Sequence, residues 1–246
     1  MIERYIGCSG YYYRDWKGIF YPEDISRSRW FSYYSGVFNT VEINATFYIF
    51  PKDIFLKRLY ENSPEKFVFS IKVNRLITHV KKLKDSKNLI DRFYSTVEGK
   101  LKEKTGAFLF QMPPSFTFSE ENLDRILKIT DTKRENVFEF RHISWWNEKV
   151  FSIFEREGII FCSISAPKFP EELVKTGKAV YIRFHGKKEW YKDLYTEEDL
   201  LKWKEKILDK KPEKIYAYFN NTFNGYAVKN ALYFKKILEE EKNSPQ

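Results

Sequence analysis

The chain has 246 residues, with 43 Lys and Arg against 34 Asp and Glu, a formal charge of +9, and 43% hydrophobic residues. That length suits a single α/β domain over residues 1–246 with a real core; no apolar run approaches the ~18 residues of a membrane span, and the first ten residues lack a signal-peptide succession, so a cytoplasmic protein with no membrane partner is expected. The positive balance favours an anionic small molecule or nucleic acid as partner, while Cys8 and Cys162, with neither metal-ligand spacing nor a disulfide framework, read as packed free thiols.

From the N-terminus, short apolar runs of period two alternate with stretches of helical period. Residues 5–10 read as a strand, 29–38 as a helix, and 41–48 as a second strand in which Val41, Ile43, Ala45 and Phe47 alternate with Glu42, Asn44, Thr46 and Tyr48. Helix 54–61, strand 67–74, helix 89–101 and strand 107–113 follow, then helix 120–129 with Ser119 as its cap candidate. Strand 137–142 sets Phe138 and Phe140 against Glu139 and Arg141, before helix 148–157 and strand 159–165. The next crossover is short and must be a brief helix or an irregular segment. Strand 179–186 sets Ile182 and Phe184 against Arg183 and His185. Helix 197–208, opened by Thr196 and Asp199 in the manner of a capping box, then strand 215–221 and helix 227–238, complete the chain.

Eight strand–helix repeats in this length predict a (β/α)8 TIM barrel with parallel strands; an open doubly wound sheet is the alternative. Charges cannot face the outer helices, so Glu42, Lys72, Glu139, Arg141, Arg183 and His185 are expected on the inner side. At the C-terminal strand ends the same parity adds Ser9, Asn44, Thr46, Asn74, Gln111, Ser163, Ser165 and Asn220, with Asn221 beside it. Tyr48, Trp145, Trp146, Trp190 and Tyr191 are candidates for an aromatic rim. The plainer alternative is an internal ion network that neutralises its own charge. His142 reads as a structural histidine, and His185 as either a general acid or base or a hydrogen-bonding anchor.

The blocks IGCSGY at 6–11, FYP at 20–22, VEINATFY at 41–48, FSIK at 69–72, QMPP at 111–114, EFRH at 139–142, YIRFHG at 181–186 and YFNN at 218–221 resemble the YecE-like family, domain of unknown function 72. The resemblance covers nearly the whole chain and implies a TIM barrel. It implies no activity, although the family's barrel looks distantly similar to metal-dependent sugar isomerases and to endonucleases acting at abasic sites. Ser165 departs from the pattern, because such proteins often place an acid there.

No metal or cofactor is expected: only His185 among the three histidines is well aimed, and Lys72, Arg141 and Arg183 would oppose a divalent ion. Walker-type, nucleophile-elbow and dinucleotide motifs are missing. Three readings remain. Two arginines and a lysine among Asn44, Gln111, Asn220 and Asn221 suit a phosphate-bearing ligand, with Tyr48 stacking and with Glu139 or His185 activating water if phosphoester hydrolysis follows. Glu42 and Glu139 could instead act as paired carboxylates on a carbohydrate. The third reading is a noncatalytic binding or scaffold protein.

Overall fold

Strand runs rich in Ile, Val, Phe and Tyr suit a sheet packed on both faces. The structure, a computed structural model, describes residues 2–240. Its eight parallel strands are β1 (Glu3–Cys8), β2 (Thr40–Ile43), β3 (Val68–Lys72), β4 (Thr105–Gln111), β5 (Asn136–Glu139), β6 (Ile160–Ser165), β7 (Ala179–Phe184) and β8 (Lys214–Phe219). They run in the order β1-β8-β7-β6-β5-β4-β3-β2 in one sheet. The helices are α1 (Trp30–Val37), α2 (Ala45–Tyr48), α3 (Asp53–Glu61), α4 (Lys87–Leu101), α5 (Glu120–Ile129), α6 (Glu148–Glu157), α7 (Glu197–Asp209) and α8 (Tyr226–Glu240). This order and alternation are those of an α/β fold of the TIM-barrel type. The crossover from β6 to β7 is irregular.

Local chemistry sets the helix ends. Ser119 accepts the Asn122 N–H at 3.1 Å to open α5, and Asn147 accepts that of Val150 at 3.0 Å to open α6. Gly158, at φ +67°, closes α6. Thr196 and Asp199 form a complete capping box on α7.

The second strand is shorter than its alternation predicts. Asn44 turns to αR backbone and the next four residues close a helical turn, with Ile49 N–H on the Ala45 carbonyl at 3.1 Å. Thr46, Phe47 and Tyr48 therefore do not follow the parity of a strand. Arg141 also lies beyond its strand, since β5 ends at Glu139.

The chain divides within β2 and β6 into two compact units. The first holds the residues up to 41, 163–173 and those from 178 onward. Its core stacks Phe184 on Phe219 at 4.4 Å, with Trp203 and Phe234 edge-on to Phe184. Buried Cys8 lies here, its thiol pushed up by burial. The second unit holds 42–162 and 174–177. Its core stacks Phe110 on Phe138 at 4.8 Å and Phe140 on Trp145 at 4.1 Å, and includes buried Cys162. Each large ring so buried contributes about 1.5–3 kcal/mol of hydrophobic stabilisation.

Candidate functional site

In the second unit a web of main-chain contacts brings three short segments together. The Thr46 hydroxyl lies 2.7 Å from the Lys72 carbonyl and 3.1 Å from that of Ile43, tying α2 to the end of β3. Asn74 donates to the Thr46 carbonyl at 2.9 Å and accepts the Leu76 N–H at 3.0 Å. The helical turn of α2 sets the Phe47 ring against Lys72, whose Nζ is 4.2 Å from the ring centroid. Lys72 is 8% exposed.

A π-helical turn, Leu76–Val80, follows and carries His79. Its ring packs edge-on to Phe47 at 4.9 Å, and its Nδ1 is 3.0 Å from the Thr78 hydroxyl. From the next strand but one, Glu139 is fully buried and ion-paired with the Arg141 guanidinium. Burial is the first cause holding the His79 imidazole down, to about 4; the cations Lys72, Arg141 and Arg75 add to it and Glu139 opposes.

The other expected residues of this unit are less uniform. Glu42 is fully buried in β2. The Asn44 Oδ1 is buried and has no hydrogen-bond partner among the described residues. Gln111 is half-buried at the end of β4, opposite Glu139 in the ladder. Tyr48 is 68% exposed, on α2 rather than on a strand face. Trp145 is no rim residue: it is completely buried, stacked on Phe116 and Phe140, with its indole N–H on the Phe116 carbonyl at 2.7 Å. His142 accepts the Ser144 N–H at 3.2 Å and caps the turn that carries Trp145.

In the first unit, Arg183 and His185 are both buried along and just past β7. His185 Nδ1 is 3.0 Å from the Asn220 side-chain amide, and its ring is flanked by Trp190 and Tyr191 at 5.3 and 5.8 Å. The amide donates, so Nδ1 accepts and the neutral ring carries its proton on Nε2. Gly186, at φ +112°, lets the chain turn sharply and give its N–H to the Tyr195 hydroxyl at 2.8 Å. That hydroxyl is 2.9 Å from Ser165 Oγ, so Ser165 serves as a partner of Tyr195. Burial raises the Tyr195 phenol. Asn221 is a loop anchor: its amide donates to the Asp193 carbonyl at 2.7 Å and to Asn230 at 2.9 Å. Ser9 Oγ, fully buried after β1, has no hydrogen-bond partner among the described residues.

His79 is the residue sequence reasoning missed. It lies outside every strand, on a turn with no periodicity; its one signal was its place seven residues after Lys72, in the loop that leaves β3. Among the described residues no three His, Cys, Asp or Glu side chains are grouped to hold a metal ion, and no helix is long and apolar enough to cross a membrane.

Comparison with known proteins gives one consistent result. The family model described as protein of unknown function DUF72 matches residues 5–246. The chain is 27% identical over 271 residues to UPF0759 protein YunF of Bacillus subtilis, covering 96% of this chain and 95% of that protein. Among solved structures, a DUF72 family protein from Thermotoga maritima matches with a TM-score of 0.87 and 33% identity, covering 96% of this chain and 99% of that one. A DUF72 family protein from Enterococcus faecalis shares the fold, with a TM-score of 0.81 at 20% identity over 97% and 96% of the two chains.

Proposed function

We propose, for a chain that belongs to the DUF72 family of proteins of unknown function, that the cluster around His79 binds a phosphate-bearing ligand, with phosphoester hydrolysis as the reaction it suits. One observation carries this reading: the Lys72 ammonium and the half-buried His79 ring both pack on Phe47, and Lys72, Arg141 and Arg75 hold the imidazole down while Glu139 opposes them. A guanidinium and an ammonium at the edge of a low-dielectric site suit phosphate oxygens, the first through paired N–H donors and the second as a point charge. The chain's charge of +9 acts in the same direction and makes nucleic acid the polyanionic form of such a ligand.

For hydrolysis, Lys72 and Arg141 would stabilise charge developing on phosphate oxygens, while Glu139, fully buried and engaged by Arg141, would position that guanidinium rather than activate water. In the first unit, Arg183, His185 and Asn220 remain ligand-binding candidates by the same chemistry, whereas Asn221 is spent on anchoring its loop. A carbohydrate site on Glu42 and Glu139 has less support, because both carboxylates are fully buried and Arg141 already engages Glu139.

Calorimetric titration of inorganic phosphate and of a 5′-phosphorylated dinucleotide into wild type and Lys72→Ala tests the reading. It predicts binding to wild type and a roughly tenfold loss in the variant, equivalent to about 1.4 kcal/mol. Absent binding, or binding indifferent to Lys72, contradicts it.

A further inference from the structure

Three properties of His79 bear on its chemistry. It is half-buried, so it is neither sealed in the core nor simply in water. Its Nδ1 meets the Thr78 hydroxyl at 3.0 Å, and that hydroxyl in turn reaches the Asn74 carbonyl at 3.4 Å. A hydroxyl has one proton; directed at Asn74, it offers its lone pairs to Nδ1–H. The neutral ring is thereby held as the Nδ1–H tautomer, with Nε2 bare. A π-turn is itself a common device for placing a functional side chain.

The charged groups that act on the ring come from several neighbouring segments. Lys72 arrives from β3, Arg75 from the start of the turn, and Glu139 and Arg141 from β5 and the residues after it, while α2 contributes the apolar Phe47 ring. Beside burial, the three cations disfavour the imidazolium and Glu139 favours it.

We propose that His79 takes up a proton at Nε2 when a phosphate-like dianion settles beside Lys72 and Arg141, so that ligand binding and protonation are one event. The proposal rests on the anion-binding reading of the same cluster. A bound dianion offsets the cations that disfavour imidazolium, and the new N–H⁺ is an added donor to the anion. The proton comes from a buffer acid, whose conjugate base stays in solution; only the N–H bond at Nε2 is formed.

Linkage gives the sign. The free site titrates at about 4 and the liganded site higher. Between those two midpoints each bound anion brings in one proton, and affinity increases up to about tenfold for each unit that the pH falls. Above the liganded midpoint the coupling vanishes.

Sulfate is the probe, because it does not itself titrate in this range. Calorimetry between pH 4.5 and 6 in two buffers of different ionisation enthalpy counts the protons taken up, and NMR of the imidazole follows the His79 midpoint. Uptake approaching one proton by wild type, an upward shift of that midpoint with sulfate, and sulfate binding without uptake by His79→Gln support the proposal. Sulfate binding without uptake, or equal uptake by wild type and His79→Gln, overturns it and leaves the anion site standing. If neither protein binds sulfate or inorganic phosphate at any of these pH values, the anion site and the proposal fall together.

Discussion

The ammonium of Lys72 rests 4.2 Å from the centre of the Phe47 ring, which an isolated helical turn between β2 and α3 holds in place. A cation against an aromatic face is worth about 0.5–2 kcal/mol, more as water is excluded. Phe47→Leu should therefore lower the unfolding free energy by about that amount in a urea titration. Phe47→Tyr, which keeps the ring face, should lose much less.

Arg141 and Glu139 form an ion pair in which the carboxylate is fully buried. Arg141→Ala takes from the buried Glu139 carboxylate one of the groups that compensate its charge, so it should cost more than Arg141→Ala combined with Glu139→Gln. A double-mutant cycle read by chemical denaturation should give a coupling of about 0.5–3 kcal/mol.

Gly186 and Tyr195 brace the loop that follows β7. A Cβ on Gly186 would clash with the Glu189 carbonyl oxygen, on backbone at φ +112°. Gly186→Ala should therefore destabilise strongly. Tyr195→Phe removes the acceptor of the buried Gly186 N–H and should cost about 1–3 kcal/mol; thermal unfolding distinguishes both variants from wild type.

Trp145 belongs to the core, stacked on Phe140 and Phe116. Trp145→Ala should cost about 3–5 kcal/mol of stability. Below its unfolding temperature, the variant should bind phosphate as wild type does, which a ligand-stacking role would not allow.

His79 also predicts how stability varies with acid. Its folded midpoint, about 4, lies below the unfolded value near 6.5, so the unfolded chain binds more protons between these values. Its contribution is present above pH 6.5 and is lost as the pH falls toward 4. His79→Gln should flatten that part of the stability profile, measured by urea unfolding at a series of pH values.

Much of the fold is legible in the chain because its signals are local. Ser119, Thr196 and Asp199 cap their helices as their spacing predicts, and period-two alternation identifies the strands that carry Lys72, Glu139 and Arg183. Alternation fails at 45–48, where Ala-Thr-Phe-Tyr has the composition of a strand but tertiary hydrogen bonds from Thr46 and Asn74 make it a turn. Phe47 is thereby moved from an expected helix-facing position to the underside of Lys72. His79 lies on a π-turn, for which no sequence period exists. Trp145 looks like a rim residue from its place after a strand, and only the cap by His142 and the contact with Phe116 turn it inward.

The most direct test of a phosphate-binding cluster is the salt dependence of binding to labelled single- and double-stranded oligonucleotides, for wild type and for Lys72→Ala/Arg141→Ala. Phosphates held by these side chains predict binding that weakens steeply with salt, and a slope of log K against log salt that falls by about one to two in the double variant. Undetectable binding, or a slope the two substitutions leave unchanged, would contradict the account.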